Sequence, residues 1–167
     1  MIADTRKGYP LFKQCIPLLL QLAARYPDLW SPGSSISIAR ALHAQKYYIK
    51  CFVFFDTTSA LALGTPPLIH YDTTFPTQHF GTSFIEQIYG CPAYLVVLMA
   101  YINAWRVSER LGQARLEDGR WREAEQLLQG WSPHVEPEDE SSNIVQRFAV
   151  LESWRHAALI YLYLVSL

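Results

Sequence analysis

Apolar residues recur along this chain with the 3.6-residue period of helices, and Pro, Gly and small polar clusters cut the pattern into segments. Pro17 stands at a first helical position before LLLQLAARY, and Pro27 follows the end of that stretch, the usual placing of proline at helix margins. SPGSS then predicts a turn, with Ser34 or Ser35 as the next helix N-cap. From Ile36 to about Leu63, the residues Ile38, Leu42, Ile49, Phe52 and Phe55 fall at helical spacing. The YYIKCFVFF stretch inside it is also strand-prone, but no alternating partner lies nearby, so the pattern predicts one long helix.

Gly64 ends that helix, and LGTPPLIHYDTTFPTQHFGT reads as an ordered, irregular segment. Pro66 and Pro67 impose extended geometry, and Leu68, Ile69, Tyr71 and Phe75 tack the segment onto a core. SFIEQIYG is a short helix closed by Gly90; Pro92 opens a stronger one to about Leu111, with Leu95, Leu98, Ile102 and Trp105 on one stripe. Gly112 and EDG interrupt the chain before RWREAEQLLQGW, an amphipathic helix with Trp121, Ala124, Leu127 and Leu128 inward and Gly130 at its end. SPHVEPEDESSN reads as a solvated loop. A final helix from about Ser142 to the end turns Ile144, Phe148, Leu151, Trp154, Ala158, Leu162 and Val165 inward. The expected fold is all-α: one domain over 1–167, an irregular bundle of about six helices with one long ordered loop and no convincing strand.

Composition agrees with much interior and little surface, since half the residues are hydrophobic and 17% are charged, against about 25% in an ordinary soluble domain. A formal charge of −1 supplies no basic field for nucleic acid or anionic lipid. The longest uncharged apolar runs, CPAYLVVLMAYINAW and HAALIYLYLVSL, fall short of the roughly 20 residues of a membrane span and read as core helices. Cys15, Cys51 and Cys91 are odd in number, widely spaced and set among apolar neighbours, as expected of buried, reduced thiols in an intracellular protein. MIADTRKGYPLFKQ lacks the features of a secretory signal.

Candidate chemistry is sparse. The chain has no CxxC pair, no HExxH, no glycine-rich phosphate loop and no GxSxG elbow. Glu152 and His156 stand at i,i+4, a spacing that suits a surface ion pair better than a metal site. EPEDE (Glu136 to Glu140) sits in a proline-interrupted polar stretch rather than on a rigid helix facing a cavity, so it does not resemble a magnesium-binding acidic motif. No catalytic residue, metal or cofactor is expected from these residues.

FFDTTSALALGTPPLIHYDTT, IYGCPAYLVVLMAYINAWR, EAEQLLQGWSP and WRHAALIYLYLVSL, in that order, resemble the fungal-specific transcription factor domain over roughly Tyr47 to Leu167. WRHAALIYLY is the most specific part, and TPPLI after a helix bearing FFD is the next. The family is the regulatory middle region found downstream of a six-cysteine binuclear zinc cluster in many fungal regulators. The resemblance implies an all-helical, nuclear, non-enzymatic domain that controls activity through effectors or intramolecular contacts. The cysteine cluster, basic arm and coiled-coil linker are not among these residues, so zinc and direct DNA contact carry over to none of them. Family members continue past the LIYLY helix, so the chain is expected to be the N-terminal part of a larger regulatory domain. The alternative is a helical small-molecule-binding or scaffold domain, conceivably an enzyme with an unrecognised site.

The family-signature residues are Pro66, Pro67, Trp154, Arg155 and His156, and their expected role is structural: Trp154 packs inward and Arg155 pairs with an acid or holds backbone carbonyls. Tyr47, Tyr48, Phe52 and Phe55 are candidates for lining a cavity for an apolar small-molecule effector, and plain core is the simpler reading. Expected partners are the rest of a parent transcription factor or another protein, with neither membrane nor nucleic acid. From Ala157 to Val165 no residue is charged, so Leu159, Ile160, Tyr163 and Leu164 are left on the solvent face. That face predicts self-association through the final helix.

Overall fold

The computed structural model describes residues 5–75, 83–112, 119–133 and 141–165. Helices dominate them: α1 (Thr5–Gln14), α2 (Ile16–Ala23), α3 (Ile38–His43), α4 (Tyr47–Leu63), α5 (Phe84–Tyr89), α6 (Ala93–Arg110), α7 (Arg120–Gly130) and α8 (Ser141–Val165). The expected all-α architecture is therefore observed, with more helical pieces than the six or so read from periodicity. Two sources supply the excess. Gly8 and Pro10 mark α1 as broken sequence, yet the helix runs through both and forgoes the one ladder bond that Pro10 cannot donate. The long helix expected from Ile36 is divided: Ala44 and Lys46 are extended, and α4 starts afresh at Tyr47. Nothing between His43 and Tyr47 is a breaker. The bend lets both pieces pack on α6, which one straight rod could not do.

The N-cap of α3 is Ser37, not Ser34 or Ser35, and its hydroxyl makes no capping bond. Ser34 takes the left-handed conformation in the preceding turn (φ 59°), where the Ser31 hydroxyl donates to the Ser35 carbonyl at 3.1 Å. Ile36 and Ser37 (β1) pair in parallel with Tyr71 and Asp72 (β2) in the register Ile36↔Tyr71, Ser37↔Asp72. This two-residue ladder is a small departure from the strand-free expectation. It lashes the segment after Gly64 to the start of α3.

α6 is the central element and packs against α3, α4, α7 and α8. Leu95, Leu98, Ile102 and Trp105 are buried as the stripe predicts, but so are Val96, Val97, Met99 and Ala100, because neighbours cover the helix on several sides. α7 turns Ala124 and Leu128 fully inward, with Trp121 and Leu127 half-buried against the core. α8 buries Leu151, Ala158 and Leu162 as expected, together with Tyr161, which the stripe did not include. Phe148 is 38% exposed rather than fully seated; Ile160, Tyr163 and Leu164 face outward as expected, but Leu159 is half-buried against the core, because neighbouring helices cover more of α8 than one stripe. Of the cysteines only Cys91 is buried, where burial pushes its thiol well up; Cys51 is half-buried and Cys15 exposed. Cys15 opens α2, a helix whose Leu18 and Leu20 also face out, so apolar neighbours in sequence did not mean an apolar surround. Among the described residues no helix is long and apolar enough to cross a membrane.

Two glycines close helices in the left-handed conformation, Gly64 after α4 (φ 63°) and Gly90 after α5 (φ 65°). They differ in surroundings. A methyl group at Gly90 would lie 2.6 Å from Val150 Cγ1 on α8, whereas at Gly64 the nearest atom is Arg106 Nη1 at 4.0 Å. Gly64→Ala is expected to cost only the left-handed strain, about 1 kcal/mol, and Gly90→Ala at least about 2 kcal/mol because α8 must also shift. Urea denaturation of both variants checks this order.

Candidate functional site

The residues that join the elements are polar groups inside otherwise apolar helices. Asp56 lies in FVFFDTTSALA on α4 and is almost fully buried. Its Oδ1 accepts from the Leu68 backbone N–H at 2.8 Å, and its Oδ2 accepts from the Tyr71 hydroxyl at 2.9 Å and the Ile69 N–H at 3.3 Å. Pro66 and Pro67 stand directly before those donors. With no N–H of their own and extended geometry, they present the next two amides to the carboxylate. Leu68, Ile69 and Phe75 pack on the core and Tyr71 is buried, so the described part of the irregular segment is docked as expected; its residues 76–82 lie outside the described chain.

A second polar centre sits on α6. Asn103 Nδ2 donates to the Thr57 carbonyl at 3.1 Å, and Asn103 Oδ1 accepts from the Tyr161 hydroxyl at 2.6 Å, so one amide ties α4 and α8 to α6. One turn on, Arg106 donates to the carbonyls of Thr65 and Ala60 at the end of α4, and its guanidinium lies 5.4 Å from the Tyr161 ring centre. These carbonyls, at the negative end of the α4 dipole, take the place of a carboxylate. Burial lowers the Arg106 pKa and raises that of Tyr161. Thr57 Oγ1 and Arg106 Nε are buried without a partner.

The α8 residues expected to mark the family, Trp154, Arg155 and His156, fall into three environments. Trp154 is half-buried, with its indole N–H donating to the Tyr89 carbonyl at 3.3 Å and its ring edge-on to Phe54 at 6.0 Å. Arg155 pairs with Glu152, at 2.7 Å from Nη2 and 2.8 Å from Nε. His156 is exposed; its Nδ1 is 2.7 Å from the Glu152 carbonyl and 3.7 Å from a Glu152 carboxylate oxygen, which makes the expected surface pair. The cavity candidates scatter. Phe52 is buried against Phe12 (4.6 Å), Tyr48 is half-buried, Tyr47 is 65% exposed, and Phe55 lies at the surface beside Tyr89.

An open cleft of about 520 Å³ lies elsewhere, between the 31–35 turn, the 70–74 segment, one face of α6 and Arg120 at the start of α7. None of the four aromatic candidates lines it. Tyr101, on its α6 wall, donates to Glu123 at 2.8 Å, and burial beside that carboxylate pushes its hydroxyl up to about 12. Among the described residues no group of His, Cys, Asp and Glu is arranged to hold a metal ion.

The profile of the fungal specific transcription factor domain matches residues 4–167. The chain belongs to that family. Neither a curated protein nor a solved structure matches it. The segments that carry the family resemblance hold both polar centres of this domain: Asp56 in FFD, its donors in and after TPPLI, Asn103 and Arg106 in YINAWR, and Tyr161 in ALIYLY. Sequence reasoning named Leu68, Ile69 and Tyr71 only as apolar anchors of the segment and passed over Asp56, Asn103, Arg106 and Tyr161. The available signal was a lone polar residue in an apolar helix, which must find a partner on folding.

Asp56→Ala, which orphans two amides and a hydroxyl, is expected to cost on the order of 3 kcal/mol, and His156→Ala less than about 0.5 kcal/mol. Burial holds Asp56 above the ordinary carboxylate value despite the Leu68, Tyr71 and Ile69 donors. The folded chain therefore takes up this proton before the unfolded chain does. Stability contributed by the group rises as pH falls through the raised folded value and levels off below the unfolded one. The advantage of the native domain over Asp56→Asn should accordingly widen as pH falls from neutral to below the unfolded aspartate value of about 3.9, as read by urea denaturation of both proteins.

Proposed function

We propose that this domain is the regulatory, activity-controlling region of a nuclear transcription factor, and that it works through contacts with the rest of that factor or with other proteins rather than by touching DNA itself. The observation that carries this reading is the family match across residues 4–167. Charge supports it: 14 basic and 15 acidic residues give a formal charge of −1, too little field to hold a polyanion. The family is a transcription-factor domain, and no enzymatic role is proposed. Fused to a heterologous DNA-binding domain, the chain should change reporter output relative to that DNA-binding domain alone. An unchanged reporter with a folded, nuclear fusion would count against a regulatory role. Salt-sensitive duplex binding by the purified chain at micromolar concentration, or stoichiometric zinc in it, would overturn the second half of the reading.

The final helix is the proposed contact element, with self-association as its readout in the isolated chain. Ile160 and Leu164 are 60% and 67% exposed and stand one helical turn apart. Two such aliphatic side chains in water forgo roughly 1.5–3 kcal/mol of burial each. Light scattering at tens of micromolar should show association that Ile160→Glu with Leu164→Glu abolishes without lowering thermal stability. A monodisperse native monomer would rule this out.

A further inference from the structure

Three positions of this chain place a hydroxyl residue directly before proline: Ser31, Thr65 and Ser132. A proline-directed protein kinase reads that pair in an extended peptide, so the hydroxyl must be free and the backbone must lie open. The fold withdraws two of the three. Ser31 sits in a tight turn, where its hydroxyl donates to the Ser35 carbonyl at 3.1 Å and its N–H donates to the same oxygen at 2.9 Å. Thr65 has its hydroxyl 3.2 Å from that of Tyr9, while its carbonyl is held by Arg106. Ser132 differs on both counts. It is exposed, its hydroxyl makes no hydrogen bond among the described residues, and it follows Trp131 in extended geometry (φ −75°, ψ 133°) rather than in a helix or turn. Pro133 disfavours helical backbone at Ser132 itself.

We propose that Ser132 is a phosphorylation site for a proline-directed Ser/Thr kinase. The γ-phosphoryl group of ATP passes to Ser132 Oγ: the new O–P bond forms as the bond to the β-phosphate oxygen breaks, ADP leaves, and the hydroxyl proton goes to the kinase's base. Charge narrows the kinase further. His134 and Val135 follow the proline, and then Glu136, Glu138, Asp139 and Glu140, so an enzyme that needs Lys or Arg at those positions is disfavoured. The phosphate adds about 1.5–2 negative charges immediately beyond the C-terminal end of α7. That end is the negative pole of the helix dipole, and the last turn has no basic residue to receive the charge. Trp131 closes this turn by donating its N–H to the Leu127 carbonyl at 3.1 Å, and its ring packs half-buried on the core. The added charge is therefore unfavourable where it is placed, and it loosens the last turn of α7. Ser132 deepens the regulatory reading and rests on it only for that consequence in the cell. Phosphoryl transfer itself is independent of it.

Incubating the folded chain with a proline-directed kinase and Mg-ATP, with mass spectrometry as the readout, should place a single phosphate, on Ser132. Ser132→Ala, at an exposed position, should abolish incorporation without changing the melting temperature. Pro133→Ala, which leaves the acceptor hydroxyl in place, should abolish it too. Short peptides carrying the Ser31 and Thr65 pairs should be phosphorylated where the folded chain is not, because the fold rather than the sequence protects them. The phosphorylated chain should melt lower than the unmodified one and exchange the amides from Leu127 to Trp131 faster. No incorporation into the folded chain, incorporation that survives Pro133→Ala, or phosphate on Ser31 or Thr65 of the folded chain would overturn the site. A melting temperature and amide exchange left unchanged by the phosphate would overturn its effect on α7. None of those results would touch the reporter experiment, so the two readings fail separately.

Discussion

α6 lies inside the bundle, and a helix packed on several sides cannot leave its polar side chains to water. Asn103 and Arg106 are nearly fully buried, and unmet hydrogen-bonding groups at such depth cost about as much as a large core truncation. Their partners are therefore not optional. They reach across to α4 and α8, so satisfying two residues of the central helix fixes the placement of the two longest elements that touch it. Hydrophobic burial drives the assembly, and hydrogen bonds select among the ways of assembling it.

The same logic extends outward along α4. Adjacent residues of that helix serve different neighbours: Thr57 offers its carbonyl to α6, while Asp56 turns its carboxylate to the segment after Pro67. Arg106 then closes the corner by holding the Thr65 carbonyl, just past the helix end at Gly64. The end of α4, the start of the irregular segment and the middle of α6 form one hydrogen-bonded unit. The parallel pairing of Tyr71 and Asp72 with Ile36 and Ser37 carries that unit to the edge of the cleft. A polar chain of this kind, rather than any single side chain, connects a surface cavity to the core of the domain.

The positions expected from sequence to mark the family separate on physical grounds. Pro66 and Pro67 act by what they lack, an N–H, and by the extended backbone that aims the next two amides at Asp56. Trp154 anchors α8 to the carbonyl that ends α5, on the side where Gly90 lets Val150 approach. Arg155 and His156 lean on Glu152 within their own helix. The exposed His156–Glu152 pair is worth little to stability.

Periodicity and punctuation determined the all-helical class, the ends of α4 at Gly64 and of α5 at Gly90, the span of α6 and the outward face of Ile160, Tyr163 and Leu164, because each follows from local backbone preference or from the spacing of apolar residues along one element. Tertiary structure alone decided the break between α3 and α4, the helix through Pro10, the exposure of Cys15 and the inward turn of Tyr161. In each case the outcome depends on which neighbour the segment meets, and no spacing records that. The same reason hid Asp56, Asn103 and Arg106. Each is visible in sequence as a polar interruption in an apolar run, but a hydrogen bond between residues 46 or 58 positions apart exists only once the chain has brought them together.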